Sequence, residues 1–321
     1  MVVYSDILAA AQRIKAHATK TPLLTSDLLN KRLGFQLYVK AEPLQRTSSF
    51  KFRGAMNAIS TLPDDDAPII AFSSGNHAQG IALAAKLKGR EATIIMPEDA
   101  PSVKIENTRA YEANVVLYDR YSGDREAIAL TYSTEDNPAH VIPPFDDERV
   151  IAGQGTIGLE LTEQASDAGF LPDCAIICCG GGGLISGTSI ALKHHFPDME
   201  IFSAEPAGFD DMARSLAAGE IIANTPGPTS ICDAITTPQP GNITFPICKS
   251  LLAGGKVVSD HDVLNAMKIA FHYFKLVVEP GGAVALAAAL QPEFKPKGQH
   301  VIVVASGGNV DAQIMQTALT M

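Results

Sequence analysis

Positive charge is in short supply in this 321-residue sequence: 25 Lys and Arg stand against 35 Asp and Glu, a net charge of −10. That balance argues against nucleic acid or an anionic membrane as the main partner. No basic stretch precedes an apolar run in Met1-Val2-Val3-Tyr4-Ser5-Asp6, so no secretory signal is expected. No apolar run reaches the length needed to span a bilayer. Cysteine is scarce and odd in number, at five, which reads as reduced, mostly buried thiols of a cytoplasmic protein. Cys174, Cys178 and Cys179 lie in an apolar run without paired His or Cys partners, which speaks against zinc. Also missing are the Gly-Lys-Ser/Thr ending of a P-loop and any Gly-x-Gly-x-x-Gly followed by a well-placed acid. Nucleotide hydrolysis and dinucleotide binding both fall away on that ground.

What is present is a hydrophobic content of 46%, enough for a large core in one two-lobed unit or two domains. Helical spacing runs from Tyr4 to Lys20, with Ile7, Ala10, Ala11 and Ile14 on one face. From there strand, loop and helix alternate. Strands are expected over 36–41, 68–72, 91–96, 114–118, 174–179, 201–204 and 301–305. Helices are expected over 54–62, 78–88, 103–112, 120–132, 184–195 and 259–274, the last opened by a capping box of Ser259 and Asp262. Gly153-Gln154-Gly155-Thr156 is read as a helix start, and 225–246 as a long ordered loop. Alternation of this kind implies an α/β fold with parallel sheets covered on both faces.

Four stretches carry chemistry. Lys51 sits between Phe50 and Phe52, and a lysine in apolar company has its charged form disfavoured, so its amine becomes a usable nucleophile toward a carbonyl. Gly180-Gly181-Gly182-Gly183 lies between a strand and a helix, where backbone N–H groups and the positive helix end hold a phosphate without a lysine. Ser73-Ser74-Gly75-Asn76-His77 occupies another strand-to-helix junction and offers hydroxyls, N–H groups and an amide suited to a small carboxylate; simple helix capping by Ser73 or Ser74 is the plainer alternative. Ser306-Gly307-Gly308-Asn309 is a third such turn, with Ser306 suited to a neutral hydrogen bond to a ring nitrogen.

Ser-Phe-Lys-Phe-Arg-Gly at 49–54, Ser-Ser-Gly-Asn-His at 73–77, Ala-Gly-Gln-Gly-Thr at 152–156, the four glycines at 180–183, Glu-Pro-Gly-Gly at 279–282 and Ser-Gly-Gly-Asn at 306–309 together resemble the fold-type II pyridoxal-phosphate family. The likeness is to its serine/threonine dehydratase and serine racemase branch and covers essentially the whole chain. It implies two open, twisted, mostly parallel sheets with helices on both faces. The active site would lie between a large domain, residues 1–67 and 146–321, and a small one, residues 68–145. Lys51 would carry pyridoxal 5'-phosphate, with Phe50 on the ring, Asn76 on the ring hydroxyl, Gly180 to Gly183 and Leu184 on the phosphate, Ser306 at the pyridine nitrogen and Glu279 beside the cofactor. The substrate, a small amino acid, would contact Ser73, Ser74, Gly75, Asn76, His77, Arg125 and Thr237.

The resemblance further implies β-elimination from a β-hydroxy amino acid to a 2-oxo acid and ammonia, 3-hydroxyaspartate or serine before threonine. Lys51 would take the Cα proton, and Ser74 would work on the opposite face, giving racemisation as the alternative. A β-replacement enzyme of the cysteine-synthase kind and a non-catalytic ligand-binding protein are the other readings. Glu205 and Asp211, with the Phe209 carbonyl, match a divalent-metal site for Mg²⁺, Ca²⁺ or Mn²⁺, oxygen donors being what such ions take; the plainer reading is a solvated acidic loop. A homodimer is expected. Because the chain stops soon after the last turn, no regulatory domain of the biosynthetic threonine dehydratase kind is expected.

Overall fold

The computed structural model describes residues 1–321 apart from Arg120, Tyr121, Thr134, Asp136 and Asn137, and apart from the side chains of Arg125 and Glu126. Ten strands are present among the described residues: β1 Leu23–Thr25, β2 Gln36–Ala41, β3 Ile69–Phe72, β4 Ala92–Pro97, β5 Asn114–Tyr118, β6 His140–Val141, β7 Cys174–Cys178, β8 Glu200–Pro206, β9 Gly254–Val258 and β10 His300–Ala305. They form two sheets. The larger has the order β1-β2-β10-β7-β8-β9 and is parallel except for the edge strand β1; the smaller has the order β5-β4-β3-β6 and is parallel throughout.

The sequence explains the layering. Every residue of Cys-Ala-Ile-Ile-Cys in β7 is buried, as a central parallel strand covered on both faces requires. The helix Pro280–Leu290 packs on β7 and β10 and is nearly all Ala, Gly, Leu and Val. Its interior carries no charge because no face of it meets water. The helix Lys51–Ser60 lies between two others, Asn76–Leu87 beside the smaller sheet and Glu148–Asp167 beside the larger. It comes very near both. A Cβ on Gly80 would sit 3.2 Å from the Lys51 carbonyl carbon, and a Cβ on Gly153 would sit 2.7 Å from the Arg53 oxygen.

That packing corrects one sequence-based expectation. Gly153-Gln154-Gly155-Thr156 does not start a helix; it lies inside Glu148–Asp167, which begins at the Asp147 cap, whose carboxylate accepts from the Arg149 and Val150 N–H groups. The glycines are there for close approach: a Cβ on Gly155 would press on Ile7 and the Gly187 oxygen, and one on Gly158 on Ala191. Four further boundaries move. The helix expected over 120–132 spans only Arg125–Leu130, with Arg120 and Tyr121 outside the described residues. The first helix spans Tyr4–Ile14 rather than reaching Lys20, and Ala11 is only half-buried on it. The stretch read as a loop over 225–246 contains a short helical turn at Asp233–Ile235 and the start of the helix Thr244–Leu251. The helix Asp260–Ile269 passes into a wider π turn over Ala270–Phe274. The capping box at Ser259 and Asp262 is present. No described helix is long and apolar enough to cross a membrane. All five cysteines are free and buried.

Candidate active site

The carboxyl ends of β3, β7 and β10 open on one cavity of about 590 Å³, the position at which open parallel sheets bind ligands. The Ser73–His77 turn follows β3, the four glycines follow β7 and Ser306 follows β10. Of the residues singled out from the sequence, Phe50, Lys51, Ser73, Ser74, Gly75, Asn76, His77, Gly180, Gly181, Gly182, Gly183, Leu184, Thr237 and Ser306 all line this cavity. The Arg125 side chain lies outside the described residues.

Lys51 opens its helix at the cavity wall. Its Nζ donates to the Pro144 carbonyl at 2.6 Å and lies 5.2 Å from the centre of the Phe50 ring. Burial pushes its pKa down to about 8, with a small opposing pull from Cys178, so an appreciable fraction is free amine near neutrality. The chain is forced into place just ahead of it. Thr47 and Ser48 both adopt left-handed backbone, φ 57° and 53°, which side chains disfavour. Their carbonyls are turned toward the last turn of the chain, where Ser48 O accepts from the Gly308 N–H at 2.8 Å and Thr47 O from Asn309 Nδ2 at 2.8 Å. Ser306 O in turn accepts from the Phe50 N–H at 3.0 Å.

The glycine loop is a cradle rather than a plain turn. The N–H groups of Gly180, Gly181 and Gly182 have no acceptor among the described residues. Gly182 has φ 95°, open to glycine at little cost, and caps the helix Gly183–His195. Side chains are excluded on every side. A Cβ on Gly181 would collide with the Phe145 ring, one on Gly182 would meet Thr244 at 2.8 Å, and one on Gly183 would meet the Phe145 backbone at 3.0 Å. Three unpaired donors at a positive helix end, beside a partly neutral amine, fit a phosphorylated carbonyl compound.

Behind the cavity wall the polar groups are tied together, and Glu279, expected beside the cofactor, does not itself line the cavity. Asn76 donates to Glu279 and accepts from Asn309 Nδ2 at 2.8 Å. Glu279 is buried, and burial raises its pKa against the pull of Lys104, whose Nζ lies 3.2 Å from it and 2.9 Å from Asp233. Gly75 caps the helix Asn76–Leu87 without side-chain help; Ser73 Oγ instead accepts from the Gly75 N–H at 3.0 Å, so neither serine caps that helix. His77 is buried and held neutral, its pKa pushed down to about 3 by burial and by the charge of Lys51. Its Nε2 lies 2.9 Å from the Ile142 carbonyl, which fixes the proton there and leaves Nδ1 an acceptor without a partner. The His77 ring therefore has no N–H left to offer the cavity. Ser306 and Cys178 both line the cavity, and burial pushes the Cys178 thiol up to about 11.

Glu205 and Asp211 stand at the end of β8, away from the cavity. Glu205 accepts from the Met212 and Ala213 N–H groups, both at 2.8 Å, so it closes the N-terminus of the helix Asp211–Ala218. Burial raises Glu205 to about 8 and Asp211 to about 6. Asp211 Oδ1 accepts from Asn224 at 2.6 Å, and its Oδ2 is buried without a partner. The pair is buried, not the solvated loop of the plainer reading. Among the described residues no group of three or more His, Cys, Asp or Glu is gathered as a metal site. Lys104, Asp233 and Phe145 were not legible as site residues; a lysine on a polar helix and a phenylalanine after two prolines carry no local signal.

A family profile described as pyridoxal-phosphate dependent enzyme matches residues 14–307. The chain is 44% identical to the L-threo-3-hydroxyaspartate ammonia-lyase of Saccharomyces cerevisiae, covering 99% of this chain and 96% of that one. It is 41% identical to the serine racemase of Schizosaccharomyces pombe, covering 97% and 95%. Its fold superposes on maize serine racemase with a TM-score of 0.92 at 36% identity, over 99% of this chain and 97% of the other. The serine racemase of Dictyostelium discoideum gives 0.89 at 40% identity, over 97% and 99%. With a profile spanning nearly the whole chain and relatives this similar end to end, the protein belongs to the fold-type II family of pyridoxal-phosphate dependent enzymes.

Proposed function

We propose that this enzyme eliminates water from a β-hydroxy amino acid, 3-hydroxyaspartate or serine ahead of threonine, to give a 2-oxo acid and ammonia. The observation that carries the reading is Lys51: a cavity amine with pKa about 8, beside three unpaired glycine N–H donors, with a serine, not a carboxylate, at position 306. When bound, pyridoxal 5'-phosphate supplies the electron sink that loosens the Cα proton. Gly180 to Gly183 and the Leu184 N–H hold its phosphate, Phe50 covers its ring, Asn76 donates to its ring hydroxyl under the hold of Glu279, and Ser306 meets its nitrogen with a neutral hydroxyl. Lys51 takes the Cα proton. Ser73, Ser74, Gly75 and the His77 backbone bind the substrate carboxylate; Arg125 and Thr237 bound its far end. Residues 1–67 and 146–321 form the large domain and 68–145 the small one. The names of the relatives support both the reaction and this order of substrates.

A second activity, racemisation, is favoured by Ser74, a half-buried hydroxyl on the cavity wall able to return a proton from the face opposite Lys51. The partnerless Asp211 Oδ2 supports a divalent cation at Asp211, Glu205 and the Phe209 carbonyl. Five free buried thiols support a reducing, cytoplasmic compartment, and the family supports a homodimer. Assays of serine, threonine and 3-hydroxyaspartate stereoisomers for 2-oxo acid and ammonia test the reaction. No product from any of them would reject it, and a thioether formed on adding a thiol would redirect it to β-replacement. EDTA is expected to lower thermal stability or activity; no change in either removes the cation.

A further inference from the structure

Four consecutive glycines make a loop of wide backbone freedom, so the direction of its N–H groups has to be set by something outside it. Phe145 and Ile235 fill the space around the loop, but apolar contact sets no direction. Hydrogen bonds do, and two of them meet on one carbonyl. Gly181 O accepts from Thr244 Oγ1 at 2.6 Å and from the Gly241 N–H at 3.2 Å. The Gly241 N–H is shared with Thr244 Oγ1 at 3.0 Å, so the threonine hydroxyl accepts on one side and donates on the other. Thr244 is fully buried and does not line the cavity. It is itself pinned, because the Asp146 carboxylate accepts from the N–H groups of Asn242 at 2.9 Å, Ile243 at 2.8 Å and Thr244 at 3.2 Å. Asp146 follows Phe145, whose ring lies against Gly181, and Pro144, whose carbonyl accepts from Lys51.

We propose that Thr244 is a positioning residue that turns the Gly182 N–H toward the phosphate of the cofactor. The inference rests on the proposed reading of Gly180 to Gly183 as the phosphate cradle. The Gly181 carbonyl and the Gly182 N–H belong to one planar trans peptide, so they point in opposite directions. With the oxygen held by Thr244 behind the loop, the N–H faces forward, into the cavity that Gly182 lines. That N–H has no acceptor among the described residues. Without the hydroxyl, the oxygen keeps only the longer bond from Gly241, and the peptide is free to rotate its donor away. Gly182, at φ 95°, has no side chain to resist that rotation. Thr244 touches neither cofactor nor substrate; it acts through the Gly181–Gly182 peptide. A neutral hydrogen bond is worth a factor of roughly three to ten in affinity, which sets the size of the effect.

The test uses the full-length protein freed of cofactor, with Thr244→Val, which keeps the shape but not the hydroxyl, and Thr244→Ser, which keeps the hydroxyl. Pyridoxal 5'-phosphate is titrated by the change in visible absorbance, and so is pyridoxal, which has the ring and aldehyde but no phosphate. For Thr244→Val the expected result is pyridoxal 5'-phosphate affinity weaker by roughly tenfold, with pyridoxal affinity within about twofold of wild type. Thr244→Ser should stay within about threefold of wild type for both compounds. Thr244→Ala carries the same expectation as the valine and replaces it if circular dichroism shows the valine chain unfolded. Unchanged affinity for pyridoxal 5'-phosphate in the valine variant overturns the proposal. So does an equal loss for the two compounds, which marks a general loosening, or a serine variant as weak as the valine one. Unfolding of both the valine and alanine chains assigns Thr244 to the fold and overturns it as well. A wild type that binds pyridoxal as tightly as its phosphate ester rejects the cradle itself, and the role of Thr244 with it. A wild type that prefers the ester, matched by the valine variant, removes Thr244 alone and leaves the cradle standing.

Discussion

Removing the Arg53 guanidinium should cost this protein about 3–5 kcal/mol of stability, the scale for breaking a buried ion pair by deleting one partner. Arg53 is two residues beyond Lys51 on the same helix and fully buried. It donates to Glu42 at 2.8 and 2.9 Å and to Glu160 at 2.6 and 2.9 Å, while Lys40 donates to Glu160 at 2.6 Å. Two cations and two carboxylates balance. Arg53→Met conserves most of the volume and leaves one carboxylate uncompensated among buried neighbours. Arg53→Lys restores the charge but not the planar fork, and should recover only about half the loss. The pH dependence supplies an independent check. Burial works to raise the pKa of Glu160, but Arg53 and Lys40 outweigh it, so the folded value lies below the ordinary 4.5. A depressed carboxyl stabilises the fold fully above its unfolded pKa and loses that contribution as pH falls through the folded one. The gap between wild type and Arg53→Met should therefore narrow as pH drops from about 5 toward about 3. Urea unfolding followed by circular dichroism at several pH values measures both effects. A loss under about 1 kcal/mol near neutral pH, or a gap that does not change with pH, would refute the reasoning.

Three other outcomes follow from the site. In apoprotein, carbonyl capture at Lys51 should rise about tenfold between roughly pH 7 and 9 and then level, as a pKa near 8 requires, where an ordinary lysine would keep rising toward 10.5. The linked stability runs the same way: the folded form gives up its proton first, so between about 8 and 10.5 stability increases with pH. Gly181→Ala should abolish cofactor retention on dialysis, because its Cβ runs into the Phe145 ring and the displaced backbone misdirects the cradle N–H groups. Retention equal to wild type would mean the phosphate is held elsewhere.

The chemistry was legible where it depends on local backbone. A lysine between phenylalanines and four consecutive glycines at a strand end are features of the chain itself, and both face the cavity. Contacts made at a distance were not legible. Asn309 reaches Asn76 across 233 positions, and Lys104 is buried only because Glu279 and Asp233 converge on it from elsewhere in the chain. Glycine misled once, at 153–155, because it permits close helix approach as readily as it marks a helix end. Proline misled at Pro246, which lies in the first turn of Thr244–Leu251, where its missing N–H has no helical partner to lose. Strand β9, at the edge of the larger sheet, carries two glycines and a half-buried lysine, and so lacks the apolar run that marks β7.

The central claim is that the Lys51 amine is the point at which this chain holds its cofactor. Reducing the purified, cofactor-supplemented enzyme with borohydride and mapping its peptides tests that directly. The account predicts a single pyridoxyl group, on Lys51, absent from Lys51→Ala. A colourless protein whose reduced peptide carries Lys51 unmodified, or whose adduct lies on Lys104, would contradict it.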